Sequence, residues 1–284
     1  MGKPRRSLTF LLIGLTAAAT AEMRGAFAGA PKASDYTVVL DPGHGGTDFG
    51  AIYAEKKSAK SKKGKTVFTE KAAVLGLAIE AKRQLEQKGY PVLLTRDRDA
   101  DIALNARTAI ANRAHAKVFV SIHMNSLPSG RAEGVETYLL NSTTDRTSKR
   151  LAELENKGLD PTQGSKQTSD TEVNLILKDM TIDGNAPESK RLACALQDHL
   201  TAVTKQRPRG VKQALFVVLL GADMPTSLVE AGFVSSERDR KLITSEHGVR
   251  AMAAAMVRAI EQFRTRQGTE AARQDQAKCL VSDH

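Results

Sequence analysis

The chain has no tryptophan, two cysteines and only 4% aromatic residues among its 284 positions. Two cysteines cannot build a disulfide-dense scaffold, and with no CxxC pair a thiolate zinc knuckle is excluded, so any metal site must draw on histidine and carboxylates. Scarce aromatics remove the stacking platforms on which single-stranded nucleic acids are bound, which argues against a nucleic-acid partner despite a formal charge of +10. Beyond the N-terminus no apolar run approaches the ~20 residues of a membrane span. A His-Glu-x-x-His helix is also missing, which removes one common way of holding catalytic zinc. What is present is 41% hydrophobic residues, enough for a sizeable core.

The N-terminus reads as an export signal over residues 1–28. Lys3, Arg5 and Arg6 precede an apolar stretch from Leu8 to Ala19, and small-residue cleavage sites follow at Ala19-Thr20-Ala21 and Ala26-Phe27-Ala28. Arg5-Arg6 suits the twin-arginine route, and a periplasmic location with no membrane span in the mature chain is expected. An oxidising compartment permits the two cysteines to join. Cys194 falls in a helical pattern and Cys279 in a polar tail, however, so two free thiols are expected.

After a short linker at 29–35, apolar β-branched runs alternate with helical periodicity. The strands are expected at Tyr36–Asp41, Tyr90–Thr95, Lys117–Ile122, Gly134–Leu140, Ala214–Leu220 and Ser227–Ala231. Helices are expected at Glu70–Lys88, with Thr69 as N-cap and Gly89 as stop, and at Ile102–His115 and Glu246–Phe263. The pattern predicts one α/β domain over 36–263, built on a mostly parallel sheet of roughly six strands with helices on both faces. A polar, partly helical insertion at 141–190 interrupts it, and a frayed polar tail occupies 264–284. Six lysines (Lys56, Lys57, Lys60, Lys62, Lys63 and Lys65) crowd the loop before the first helix, where they would attract an anionic polymer.

Four residues meet at one rim of this predicted sheet. His44 stands between glycines after the first strand, His123 ends the third, Glu70 opens the first helix, and Glu230 ends the last strand. In open α/β sheets ligands bind outside the carboxyl ends of the strands. Two imidazoles and one carboxylate match the ligand set of catalytic zinc, which keeps a fourth position open for water; a further carboxylate left off the metal can take a proton. Asp41 and Asn125, beside the two histidines, are candidates to orient the rings. His115, His199, His247 and His284 lack strand-end placement and read as structural or surface residues.

The segments Val38-Val39-Leu40-Asp41-Pro42-Gly43-His44-Gly45-Gly46, Leu94-Thr95-Arg96, Phe119-Val120-Ser121-Ile122-His123-Met124-Asn125 and Leu228-Val229-Glu230-Ala231-Gly232-Phe233 resemble, in order, the type-3 N-acetylmuramoyl-L-alanine amidases of the exported bacterial cell-separation type. The resemblance implies one Zn2+ held by His44, Glu70 and His123, with Glu230 as the catalytic carboxylate. It implies hydrolysis of the amide between N-acetylmuramic acid and L-alanine in peptidoglycan. Residues 141–190 resemble the family's regulatory segment: Leu151-Ala152-Glu153-Leu154-Glu155-Asn156 aligns Glu155 with a residue that blocks the metal's open position, and Leu175, Ile176, Leu177 and Met180 would face a protein activator. A monomer is expected, recruited to the division site by that partner or by the substrate. Two alternatives stand beside this reading: a murein-binding regulator without turnover, and another zinc-dependent wall peptidase.

Overall fold

A computed structural model describes residues 31–54, 67–127, 132–158, 180–205 and 208–278. The export signal, the six-lysine loop, residues 159–179 of the insertion and Cys279 lie outside the described residues.

The sheet is built from β1 (Val38–Pro42), β4 (Val92–Leu94), β5 (Val118–Asn125), β6 (Glu136–Leu140), β7 (Val211–Ala214) and β8 (Thr226–Phe233), while β2 (Ile52–Ala54) and β3 (Val67–Thr69) pair separately as an antiparallel hairpin. The spatial order is β4-β1-β5-β8-β6-β7, and every pairing within the six is parallel except β6 with β8. From β1 the chain leaves toward β4, and from β5 it leaves toward β8 and β6. The carboxyl ends of β1 and β5 therefore flank a switch point, the place where an open α/β sheet forms a crevice.

Because strand side chains alternate between faces, β1 and β5 sort their residues into two cores. Val38, Leu40, Val120 and Ile122 face one layer, where α1 (Glu70–Gln87), α4 (Met180–Thr204) and α6 (Glu246–Thr265), which follows the short α5 (Glu237–Thr244), contribute Leu77, Leu85, Leu196, Leu200, Met256 and Ile260. Val39, Phe119 and Leu228 face the other, thinner layer, formed by α2 (Leu104–Arg113), α3 (Arg146–Glu155) and the stretch around Phe216. Each fully buried Leu or Ile contributes about 1.5–3 kcal/mol. The same alternation carries Asp41, His123 and Glu230 to the thin side.

The predicted helices form within two residues of their expected starts and ends, and Gly89, at φ +85°, terminates α1. Thr69 precedes α1 in extended conformation but makes no side-chain cap. Three expectations change. The apolar run 214–220 is a strand only at its first residue; Val217–Leu219 forms a 3-10 turn, buried by α2 and α3 instead of by ladder pairing. As far as Lys278 the tail is not frayed: α6 continues to Thr265, and α7 (Glu270–Lys278) packs against α4, with Arg266 paired to Asp275 at 2.8 Å. Cys194 is disulfide-bonded, against the expected free thiol; α7 brings the chain back over its helix. Among the described residues no helix is long and apolar enough to cross a membrane.

Candidate metal centre

The loop that carries His44 is shaped by what surrounds it. Gly43 donates its N–H to the Ile122 carbonyl, continuing the β1–β5 ladder. A Cβ on Gly43 would lie 2.3 Å from Cε1 of His123, so only glycine leaves that imidazole its place. His44 itself adopts φ 59°, a left-handed conformation uncommon for a residue with a side chain. Its Nδ1 bonds Asp48 Oδ2 at 2.7 Å, which leaves Nε2 facing inward. Asp48 therefore orients this ring, and Asp41 does not.

Asp41 has a different task. It is fully buried and accepts bonds from Thr95 Oγ1 (2.5 Å), Ser121 Oγ (2.7 Å) and Arg107 Nη1 (2.8 Å). Arg107 in turn donates to the carbonyls of Pro42 and His44. Burial works to raise the Asp41 pKa, but the Arg107 charge and the three donors outweigh it and hold the carboxyl below its ordinary range. A carboxyl depressed in the folded state adds stability that is complete above its unfolded pKa, near ~3.9, and is lost as the pH falls through the folded value. Asp41→Asn leaves Arg107 buried without its counter-charge. Urea unfolding at pH 7 is expected to show a loss of about 3–5 kcal/mol, and the gap to the wild type should narrow in strong acid.

Glu70 is the first residue of α1, where a carboxylate suits the helix dipole. Its Oε2 accepts from the Ala51 N–H and its Oε1 from the Met124 N–H, each at 2.8 Å, so the hairpin and the end of β5 both aim it. His123 sits on β5 opposite Glu230 on β8, which is opposite Glu136 on β6, a row of three across the sheet. A register shift between His123 and Asn125 ends the regular ladder there. Asn125 donates to Glu136 Oε2 at 3.0 Å rather than to an imidazole; Glu136 is further held by Arg209 and Lys212 at 2.6 and 2.7 Å.

On α3, Ser148, Leu151, Ala152 and Glu155 follow the i, i+3, i+4, i+7 spacing of one helix stripe. Ser148, Leu151 and Ala152 are buried, and the stripe carries Glu155 inward with them. Asp145 caps the helix through the N–H groups of Thr147 and Ser148. At the other end a carboxylate in the last turn opposes the dipole, a local cost of about 0.3–1 kcal/mol.

These pieces converge. One ligand atom each from His44, Glu70, His123 and Glu155 lies within 4.8 Å of the others. His44 Nε2 is 3.0 Å from Glu70 Oε1 and 3.2 Å from Glu155 Oε2, and His123 Nδ1 is 3.2 and 2.9 Å from the same two oxygens. Despite these distances, His44 Nε2, His123 Nδ1 and Glu155 Oε2 are buried with no hydrogen bond of proper alignment. These unpartnered atoms sit together in one cluster, and two imidazole nitrogens with carboxylate oxygens are the donor set of zinc. The residues fit the cation.

The electrostatics agree. For His123, burial lowers the pKa, but the Glu155 charge and the close approach of the Glu155 and Glu70 oxygens raise it to about 9. Burial would raise Glu70; the charge of His44 and the close approach of both imidazoles outweigh it, so the carboxylate stays ionised. Glu230 behaves oppositely. Both its oxygens are buried without any partner, and burial, then the charges of Glu155, Glu70 and Glu136, push its pKa well above the usual carboxylate range. Two buried carboxylates thus lie close enough for their charges to act on each other, Glu70 held ionised and Glu230 pushed toward its protonated form, an unlike pair suited to different tasks.

The Asn156 side chain closes the arrangement. It donates to the Leu215 carbonyl at 2.8 Å and accepts from the Val217 N–H at 2.9 Å, tying the end of α3 to the 3-10 turn. Cavities of about 590 and 410 Å3 lie against Glu155, and both are lined by His44, Thr47 and Asp48. The roles of Asp48, Gly43 and Asn156 were not evident in the sequence; only the Gly-rich setting of His44 hinted at the close approach.

The family model for N-acetylmuramoyl-L-alanine amidase, Amidase_3, matches residues 38–262. The chain is 35% identical over 228 residues to N-acetylmuramoyl-L-alanine amidase AmiC of Neisseria meningitidis, covering 80% of this chain and 52% of that protein. To AmiA of Escherichia coli K12 it is 32% identical over 209 residues, 72% of this chain and 68% of the relative. It thus spans about half the length of the AmiC relative. Among solved structures, an N-acetylmuramoyl-L-alanine amidase from Clostridium difficile 630 superposes with a TM-score of 0.58 at 28% identity, covering 82% of this chain and 98% of that one. AmiC2 of Nostoc punctiforme gives 0.56 at 27%, covering 83% and 98%. The fold, the order of the motifs and this match place the chain in the Amidase_3 family of N-acetylmuramoyl-L-alanine amidases.

Proposed function

We propose that the protein is an exported, zinc-dependent peptidoglycan amidase that cleaves between the lactyl group of N-acetylmuramic acid and L-alanine. In this reading α3 holds it off until a protein partner releases it during cell separation. The observation that carries the reading is the set of inward-facing, partnerless atoms of His44, His123 and Glu155 around Glu70, next to the equally partnerless Glu230.

His44, Glu70 and His123 would hold the zinc. When bound, the zinc supplies Lewis acidity toward the amide carbonyl. Asp48 fixes the His44 ring from behind, and the Ala51 and Met124 amides fix Glu70, so the ligands need little reorganisation. Glu230 takes a proton from the attacking water and passes it to the departing alanine nitrogen, which cannot leave as an anion. Its raised affinity for a proton suits both halves of that transfer. Catalysis needs an approach to the metal from the thin side of the sheet, and Glu155 stands in that approach.

Metal content gives the first test. Protein purified without chelator should carry one zinc, lose it and its murein hydrolysis on dialysis against chelator, and regain both on adding one equivalent. A chain that binds no zinc, or hydrolyses murein equally well without it, contradicts the reading.

Asn156 supplies a second. Its two bonds, at about 1 kcal/mol each, correspond to about a 30-fold shift in the balance between docked and released α3. Asn156→Ala is therefore expected to raise basal hydrolysis by about 5- to 30-fold, measured as dye release from labelled sacculi without any partner. An unchanged basal rate would remove the clamp from the account.

A further inference from the structure

Arg96 is 3% exposed and, among the described residues, has no carboxylate in ion-pair contact; the charges of Asp41, Asp99 and Asp48 act on it without such contact. Its neighbour in space, Arg107, does have one, in Asp41. Burying a cation without a carboxylate in contact costs several kcal/mol unless its donors are met, and the Arg96 donors are met by backbone carbonyls. Nε reaches the Pro42 carbonyl at 3.0 Å, and Nη2 reaches the Gly43 carbonyl at 2.6 Å and the Lys71 carbonyl at 2.9 Å. Nη1 contacts the Arg98 carbonyl at 3.3 Å. Gly43 precedes His44, and Lys71 follows Glu70. One nitrogen thus joins carbonyls of the residues flanking two of the proposed ligands, which the sequence separates by the whole β2–β3 hairpin.

We propose that Arg96 is a positioning residue for the metal centre, setting the separation of His44 and Glu70 by bridging the loop that carries one to the helix start that carries the other. The proposal rests on the reading that these residues hold zinc. The surroundings are built for this side chain: a Cβ on Gly45 would lie 2.9 Å from Arg96 Cδ, so the glycine that lets the loop turn also leaves the arginine stem its path. Only a planar guanidinium offers donors spread widely enough to reach carbonyls on both segments; a lysine presents three donors at one atom. Arg107 supports the opposite side of the same loop through the Pro42 and His44 carbonyls but reaches nothing on α1.

The experiment compares zinc affinity with stability. Metal-free wild type, Arg96→Lys, Arg96→Gln and a remote core control, Leu200→Ala, are titrated with zinc against a chromophoric chelator, and their thermal midpoints are measured in parallel. Arg96→Lys is expected to weaken zinc binding by about 10- to 100-fold while the protein remains folded. Leu200→Ala should lower the midpoint and leave the affinity within about twofold. A zinc affinity in both Arg96 variants equal to wild type overturns the proposal while leaving the zinc site standing. Failure of both variants to fold assigns Arg96 to stability and also overturns it. Wild type that binds no zinc overturns the underlying reading itself.

Discussion

Glu230→Gln is expected to lower kcat by about 10²- to 10⁴-fold and, in the metal-free protein, to raise stability at neutral pH. The two effects share one cause. The Glu230 carboxyl is fully buried with no partner for either oxygen, and burial together with the charges of Glu155, Glu70 and Glu136 raises its pKa. A carboxyl whose folded pKa lies above its unfolded value, ~4.3, costs stability once the pH passes that unfolded value. The amide is close in shape, carries no charge, and transfers no proton. Urea unfolding at pH 7 should show a higher midpoint for the variant, the difference vanishing below about pH 4, while zinc content stays at the wild-type level. An equal kcat would remove Glu230 from the chemistry. Lost activity with lost zinc would make it a ligand instead.

Glu155→Ala should act in the opposite direction on rate. The Glu155 carboxylate is 3.2 Å from His44 Nε2 and 2.9 Å from His123 Nδ1, and it is the charged contact by which α3 engages the site. Removing one partner of a buried charged cluster costs about 3–5 kcal/mol. That cost falls on the docked state alone, because a released Glu155 is solvated. Basal hydrolysis of labelled sacculi should rise by about 10²-fold or more, up to the point where the released form predominates. This exceeds the effect expected of Asn156→Ala, which removes only neutral hydrogen bonds. Adding Glu230→Gln to Glu155→Ala should abolish the gain, showing that the released enzyme uses the same proton carrier. An unchanged or lower basal rate in Glu155→Ala would contradict a blocking role.

Much of the site is legible in the sequence because its chemistry sits at the ends of strongly patterned elements. β1 and β5 are continuous apolar runs buried on both faces, so their carboxyl ends, and with them His44 and His123, are easily placed. Glu70 is marked by the apolar stripe of α1 that begins directly after it. Less visible are features that depend on three-dimensional closure. The β2–β3 hairpin is three residues per strand, too short for periodicity to register, and yet Ala51 at its base helps aim Glu70. The run at 214–220 has strand composition, but its burial comes from α3 and α2, and composition does not distinguish the two. Asp48 and Arg96 act through bonds to a ring and to backbone carbonyls, which no spacing rule encodes. The pairing of Cys194 depends on α7 returning along α4, which a polar tail sequence does not announce.

The central claim is the bond that is cut. Purified protein carrying Glu155→Ala is incubated with sacculi, with and without chelator, and the new chain ends are identified by amine labelling and mass analysis. The account predicts chelator-sensitive release of stem peptides that begin with a free L-alanine amine, leaving glycan strands whose lactyl groups end in carboxylates. New amines within the stem peptide would make the protein a wall peptidase, and binding to sacculi without any new ends would make it a regulator; either result contradicts the account.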